Sequence, residues 1–293
     1  MRTLLRTTTL ALVLGAWACG GGEAPADAGD GTEPGAAATE GAGESMAASA
    51  GADGTDRSLF ELWNDGAMGF GVYVPQEQYT EAGAAELAAN PLYDFLFLNL
   101  EGAYEPAAVE SVSAGVGMAD AGSPPILLVR IPPMSAAGED TTRERVDEIL
   151  AAGADGVTLP HIRDVDEART AISLFEGQDV WSPDNPDGTV LAMIMLEDPQ
   201  AIAQLDQIIE LGGYSVLACG IGSLTGALDG DGEQAEAMCA EVRDRGQAAG
   251  YASVITADAG NIEQRVDEGH LALLMFGAEA DDVIRAGMEL AGR

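Results

Sequence analysis

Two side chains stand out because each interrupts or closes an otherwise apolar run. Glu197 ends the run 189–196 (TVLAMIML) and is followed by Asp198. A hard divalent cation such as Mg²⁺ is typically held by one or two carboxylates together with water and substrate oxygens, and Glu197 suits that role. Capping is the competing role, because a carboxylate here also faces the start of a helix at Pro199. Asp198 is assigned to the cap, and Glu197 stays open between the two. Arg130 is the one basic residue inside an apolar strand-like run, 126–132 (ILLVRIP). A buried guanidinium needs a carboxylate or an anionic ligand. An internal pair with Glu101 or Glu197 would satisfy it, and such a pair is compatible with ligand binding. His161 directly follows another apolar run and is a candidate for proton transfer, although a loop histidine is more often simply hydrogen-bonded. His270, the other histidine, precedes the last run and reads as structural.

These residues need a scaffold that brings run ends together. Strand-like runs recur at 70–74, 94–101, 125–131, 155–159, 189–197, 214–219, 252–256 and 271–276. Helix-like stretches lie at 77–89, 106–114, 142–152, 165–175, 199–211, 232–249, 261–268 and 279–290. Short apolar runs alternating with helices read as βαβ units in a parallel sheet. Eight such units predict an α/β fold of the (β/α)8 TIM-barrel type. A doubly wound open sheet is the alternative, but no dinucleotide fingerprint opens the first unit; Gly69 and Gly71 alone do not make one. In a barrel the C-terminal strand ends form one face and carry the site. That face would gather Tyr73, Asn99, Glu101, Arg130, His161, Glu197, Thr256 and Asp258. It would also hold the turn 220–225 (GIGSLT), which contains Gly220 and Ser223.

Composition removes several chemistries. The 293 residues carry 49 Asp and Glu against 13 basic residues, a net charge of −36. Every basic residue is arginine. Schiff-base and pyridoxal-phosphate mechanisms, which work through a lysine amine, are therefore excluded. Nucleic acid is an unsuitable partner, since neutralising its backbone takes basic clusters. The acidity itself reads as solubility or adaptation to salt. Of the three cysteines, Cys219 and Cys239 alone could pair within the globular part; one is placed at a strand end and the other well along the next helix, so both are expected to be reduced or inert.

The N-terminus reads as an export signal over 1–18, with Arg2 and Arg6 ahead of an apolar core. Residues 15–19 (GAWAC) resemble a bacterial lipobox, which makes Cys19 the expected lipidation site; ordinary cleavage after Ala18 is the alternative. Residues 19–56, rich in Gly, Ala and acidic side chains, read as a disordered tether. The globular domain is expected over 57–293. Together these features predict an exported protein held at the cell envelope by a lipid, on the periplasmic face or outer membrane, with no other membrane contact.

From residue 62 to 287 the pattern resembles the HpcH/HpaI aldolase and citrate-lyase β-like family. The segments that carry the resemblance are 93–101 (YDFLFLNLE), 128–132 (LVRIP), 149–160 (ILAAGADGVTLP) with 166–169 (DEAR), and 195–202 (MLEDPQAI). The resemblance implies a metal-dependent carbon–carbon lyase acting on a small 2-oxo acid of the pyruvate type. It implies Arg130 as a catalytic and substrate-binding group and Glu197 as a ligand of Mg²⁺ or Mn²⁺. Gly220 and Ser223 would line the substrate, Ser223 occupying the position of the second metal carboxylate. Other positions also depart from the family. Gly102 stands where it has a histidine, Asn99 where it has Asp and Met195 where it has Gln. Residues 178–188 (QDVWSPDNPDG) replace its Arg- and Gly-rich loop. His161 or a water would then replace the missing base. A non-catalytic barrel that binds a small carboxylate is the alternative. The resemblance also implies possible homo-oligomers through the last helix, 280–290.

Overall fold

The eight apolar runs form eight parallel strands in a computed structural model that describes residues 57–119 and 123–293. The strands are β1 (Gly69–Tyr73), β2 (Phe95–Asn99), β3 (Ile126–Arg130), β4 (Gly156–Ile162), β5 (Leu191–Leu196), β6 (Val216–Cys219), β7 (Val254–Thr256) and β8 (Ala272–Met275). They pair in the order β6-β5-β4-β3-β2-β1-β8-β7. The circle closes between the outer two through a parallel bridge of Val216 with Ala252, where Leu217 N–H donates to the Ala252 carbonyl at 3.1 Å. The expected (β/α)8 barrel is thus the fold. The expected export signal, Cys19 and tether lie outside the described residues.

Alternation along each strand divides the apolar residues into two sets. Phe95, Phe97, Ile126, Leu128, Leu191, Met193, Val216 and Leu274 point into the barrel and form one buried cluster. Their neighbours, such as Leu96, Leu98, Leu127, Val129 and Ile194, point outward beneath the helices and form the larger one. Two inward positions have to be glycine. A Cβ on Gly71 would meet the Phe95 ring at 2.6 Å, and one on Gly156 would strike the backbone of Leu191.

The N-terminal end of the barrel is plugged. A short helix, Leu59–Asn64, starts at a capping box in which Ser58 and Glu61 satisfy each other's backbone N–H. Its Trp63 packs on Trp181, with ring centroids 5.2 Å apart. Trp63 Nε1 donates to the Leu271 carbonyl at 2.8 Å, and Trp181 Nε1 to Asn64 Oδ1 at 3.0 Å. The 178–188 segment therefore seals the face opposite the strand ends that carry the site.

Three expectations need correction. The stretch 199–211 is two short helices, Pro199–Ile202 and Leu205–Ile209, not one. A helix that was not expected, Ile221–Ala227, occupies the turn after β6. Cys219 and Cys239, expected to be reduced or inert, form a disulfide with Cα atoms 5.4 Å apart. The long helix, Gly232–Ala248, starts where it was expected and packs its buried face, which includes Cys239, back along β6, so that Cys239 comes level with the strand end.

Candidate active site

Four charged or titratable side chains meet at the C-terminal mouth, each delivered by a different strand. Arg130 is the last residue of β3, Glu101 lies two beyond β2, His161 is within β4, and Glu197 directly follows β5. Arg130 Nη2 donates to Glu101 Oε1 at 2.9 Å and to the two carboxylate oxygens of Glu197 at 3.1 and 3.2 Å. Both pairs anticipated as alternatives for Arg130 exist together. Glu197 is 3% exposed and Arg130 8%, so their mutual charge is little screened by water. Nη2 makes all of these bonds. Arg130 Nε is buried without a hydrogen-bond partner. A buried donor left open costs free energy.

His161 is aimed into this cluster by its backbone. Its φ is +55°, uncommon for a residue with a side chain, and the pairing of β4 with β5 slips between Leu159 and Ile162. The irregularity turns the His161 N–H onto Glu197 Oε2 at 2.9 Å. The imidazole Nε2 lies 2.8 Å from Glu101 Oε1, and Nδ1 lies 3.5 Å from Glu197 Oε2. With Glu101 as acceptor, Nε2 carries a hydrogen.

The division of labour at 197–198 is resolved. Asp198 caps the Pro199–Ile202 helix, accepting the Gln200 N–H at 2.7 Å. Glu197 turns inward instead. Gly220, at the end of β6, makes room for it, since a Cβ there would land on the Glu197 carboxylate. His270 is buried at the far end of the barrel with Nε2 3.3 Å from Glu268 Oε2, in keeping with a structural role.

Beside the four residues lies a cavity of about 250 Å³. Arg130, Glu197, Tyr73, Thr256, Gly220 and Ser223 border it. Ser223 is exposed, on the helix Ile221–Ala227, and its hydroxyl makes no hydrogen bond among the described residues. The Tyr73 hydroxyl is held above its ordinary pKa, chiefly by burial; Arg130 pulls it down, and Glu101 and Glu197 push it up.

Glu101, His161 and Glu197 offer ligand atoms that all lie within 4.8 Å of one another, a group that could hold a metal ion. Two carboxylates and an imidazole suit a divalent cation. Sequence reading assigned the metal to Glu197 with Ser223 and took Glu101 only as a partner for Arg130. The position of Glu101 just past a strand end was the available signal. Nothing local announced that His161 would be folded over to meet it.

No family model matches the chain, and no curated relative matches it. Solved structures do. A HpcH/HpaI aldolase/citrate lyase family protein from Burkholderia cenocepacia is similar with a TM-score of 0.60 and 21% identity, over 79% of this chain and 96% of the other. The chain has the fold of the HpcH/HpaI aldolase and citrate lyase proteins. The citrate synthase SbnG is similar at a TM-score of 0.62 and 16% identity, covering 80% of this chain and 96% of its own. A citrate lyase β subunit from M. tuberculosis, complexed with oxaloacetate and magnesium, is similar at 0.54 and 18% over 75% and 96%. The resemblance read from the segments around Glu101, Arg130 and Glu197 therefore holds as a shared aldolase-type barrel.

Proposed function

We propose that this aldolase-type barrel is a carbon–carbon lyase that cleaves small 4-hydroxy-2-oxo acids with the help of a divalent cation, Mg²⁺ or Mn²⁺. The observation that carries the proposal is the convergence of Glu101, Arg130, His161 and Glu197 at the strand ends, beside a cavity that Arg130 and Glu197 border. The similar citrate lyase β subunit, which holds oxaloacetate and magnesium, supports the choice of ligand class.

Glu197 and Glu101 would hold the cation, since their oxygens suit a hard ion. When bound, it would supply a fixed positive charge beside the oxygens of the 2-oxo acid. Arg130, which borders the cavity, binds the substrate carboxylate or oxo oxygen and stabilises negative charge as it develops there. His161, its Nε2–H held by Glu101, takes the hydroxyl proton at Nδ1. The C3–C4 bond then breaks and leaves its electron pair on the 2-oxo fragment. The same imidazole returns the proton to carbon. Removing such a base typically costs about 10²–10⁴ in rate. Ser223 and the Gly220 backbone contact the substrate from the β6 side.

Retro-aldol turnover with added Mn²⁺, measured by release of the 2-oxo fragment, tests the proposal. Turnover should fall by about 10²-fold or more in His161→Ala, the loss expected for a proton carrier. It should vanish in Glu197→Gln. No turnover by the folded wild type on any 4-hydroxy-2-oxo acid would refute it. A second reading rests on Gly102 and Ser223, which leave two of the resembling family's functional positions without a histidine and a carboxylate. On that reading the barrel only binds a carboxylate, and a thermal shift that depends on Arg130 would persist without turnover.

The protein is further proposed to be exported and lipid-anchored through Cys19. The Cys219–Cys239 disulfide supports this, because such bonds persist in oxidising compartments. Labelled fatty acid should enter the wild-type protein and not Cys19→Ser; equal labelling of both would contradict the anchor.

A further inference from the structure

The cavity beside the charged cluster has a polar rim and an apolar floor. At the rim, Tyr73, Arg130, Glu197 and Thr256 stand at strand ends. One inward layer deeper, the wall is Phe97, Met193, Ala218, Val254 and Leu274, all buried, with the half-buried Met195 above them. No charged side chain borders the floor. In a barrel of this type the interior is ordinarily filled by layers of side chains. Here the β6 positions are Ala218 and Gly220, so that strand contributes almost no volume, and about 250 Å³ stays open.

That space equals about eight waters at roughly 30 Å³ each, yet its floor offers them few partners. Water there is poorly held, and an apolar group would displace it with gain. A second carboxylate reaching the floor would be desolvated without a cation to meet it.

We propose that the preferred ligand is a 2-oxo acid bearing an unbranched apolar arm of about three to five carbons, rather than pyruvate or a dicarboxylate. The inference rests on the proposed binding of a 2-oxo acid at Arg130 and Glu197. The oxo-acid head sits at the rim, and the arm runs down between β5, β6 and β8. The two methionines, unbranched and polarisable, adapt the wall to the arm. Ala218 sets the depth available.

The test is calorimetric titration of the Mn²⁺-loaded protein with pyruvate, 2-oxobutyrate, 2-oxovalerate, 2-oxohexanoate and oxaloacetate. Affinity should rise by about fourfold per added methylene, the factor that corresponds to burying one CH₂, and oxaloacetate should bind more weakly than 2-oxovalerate. Ala218→Leu, which fills the floor, should flatten the series while leaving pyruvate affinity within about twofold of wild type. Should the leucine prevent folding, Ala218→Val gives the same comparison with less added volume. Pyruvate binding with affinity that stays level or falls along the series would overturn the apolar-arm inference alone. Failure of every acid to bind would overturn it together with the reading it rests on.

Discussion

Gly220 shows how narrowly the site is built at the level of single residues. Its missing Cβ leaves the space that the Glu197 carboxylate occupies. Gly220→Ala should push that carboxylate off Arg130 and off the His161 N–H, lowering Mn²⁺ affinity by at least tenfold in calorimetry while circular dichroism shows the barrel intact. Unchanged affinity would mean that Glu197 does not hold the cation. At this scale the sequence was informative where a residue type clashed with its run. Arg130 in an apolar strand and Glu197 closing another could be singled out because burying a charge demands a partner. His161 could not be placed. Its approach to Glu101 depends on a left-handed φ and a slipped register in β4, and neither leaves a local signature when the residue is neither Gly nor Asn.

At the level of elements, the end of β6 is tied down by the Cys219–Cys239 disulfide, next to Gly220 and under the cavity wall. The bridge spans 20 residues of chain, including the helix Ile221–Ala227 that carries Ser223. A closed loop of that length restricts the unfolded chain by an amount worth about 3 kcal/mol. Double substitution of Cys219 and Cys239 by serine should lower the unfolding free energy in urea by about that amount. Cys219 and Cys239 are 8% and 3% exposed, so the substitution also buries two hydroxyls. An unchanged midpoint would show that the bridge does not stabilise the fold by restricting the unfolded chain. All eight strands were legible from apolar runs bounded by turns. The bridge was not, because the spacing of Cys219 and Cys239 does not show that the buried face of the helix Gly232–Ala248 presents Cys239 to the end of β6. The run 221–227 (IGSLTGA) is glycine-containing and reads as a turn; tertiary placement overrides that propensity. The Leu59–Asn64 helix carried a readable capping box but lay at the edge of a tract whose composition pointed to a tether.

Across the whole molecule, the two ends of the barrel do different work. The mouth gathers the charged strand-end residues, the opposite end carries the tryptophan plug, and buried Arg265 and His270 meet the more exposed carboxylates of Glu236 and Glu268. Burial lowers the His270 pKa to about 4; Arg243 and Arg265 push the same way, and Glu268 opposes them. The unfolded chain binds that proton near pH 6.5, and the folded one only near 4. Between those values unfolding takes up a proton, so stability is full above pH 6.5 and is lost as pH falls through the window, by up to about 3 kcal/mol. Thermal melts should show this loss, and His270→Gln should flatten it; an equal acid slope in both would assign the effect elsewhere. The proposed activity requires a cation and a 2-oxo acid to meet at Glu197 and Arg130. Titration of Mn²⁺ followed by its paramagnetic resonance, on wild type and Glu197→Gln, with and without a 2-oxo acid, tests this most directly. The predicted result is one site per chain in the wild type, tightened by the acid and absent from Glu197→Gln. Equal Mn²⁺ binding by both proteins, or none by either, would contradict it.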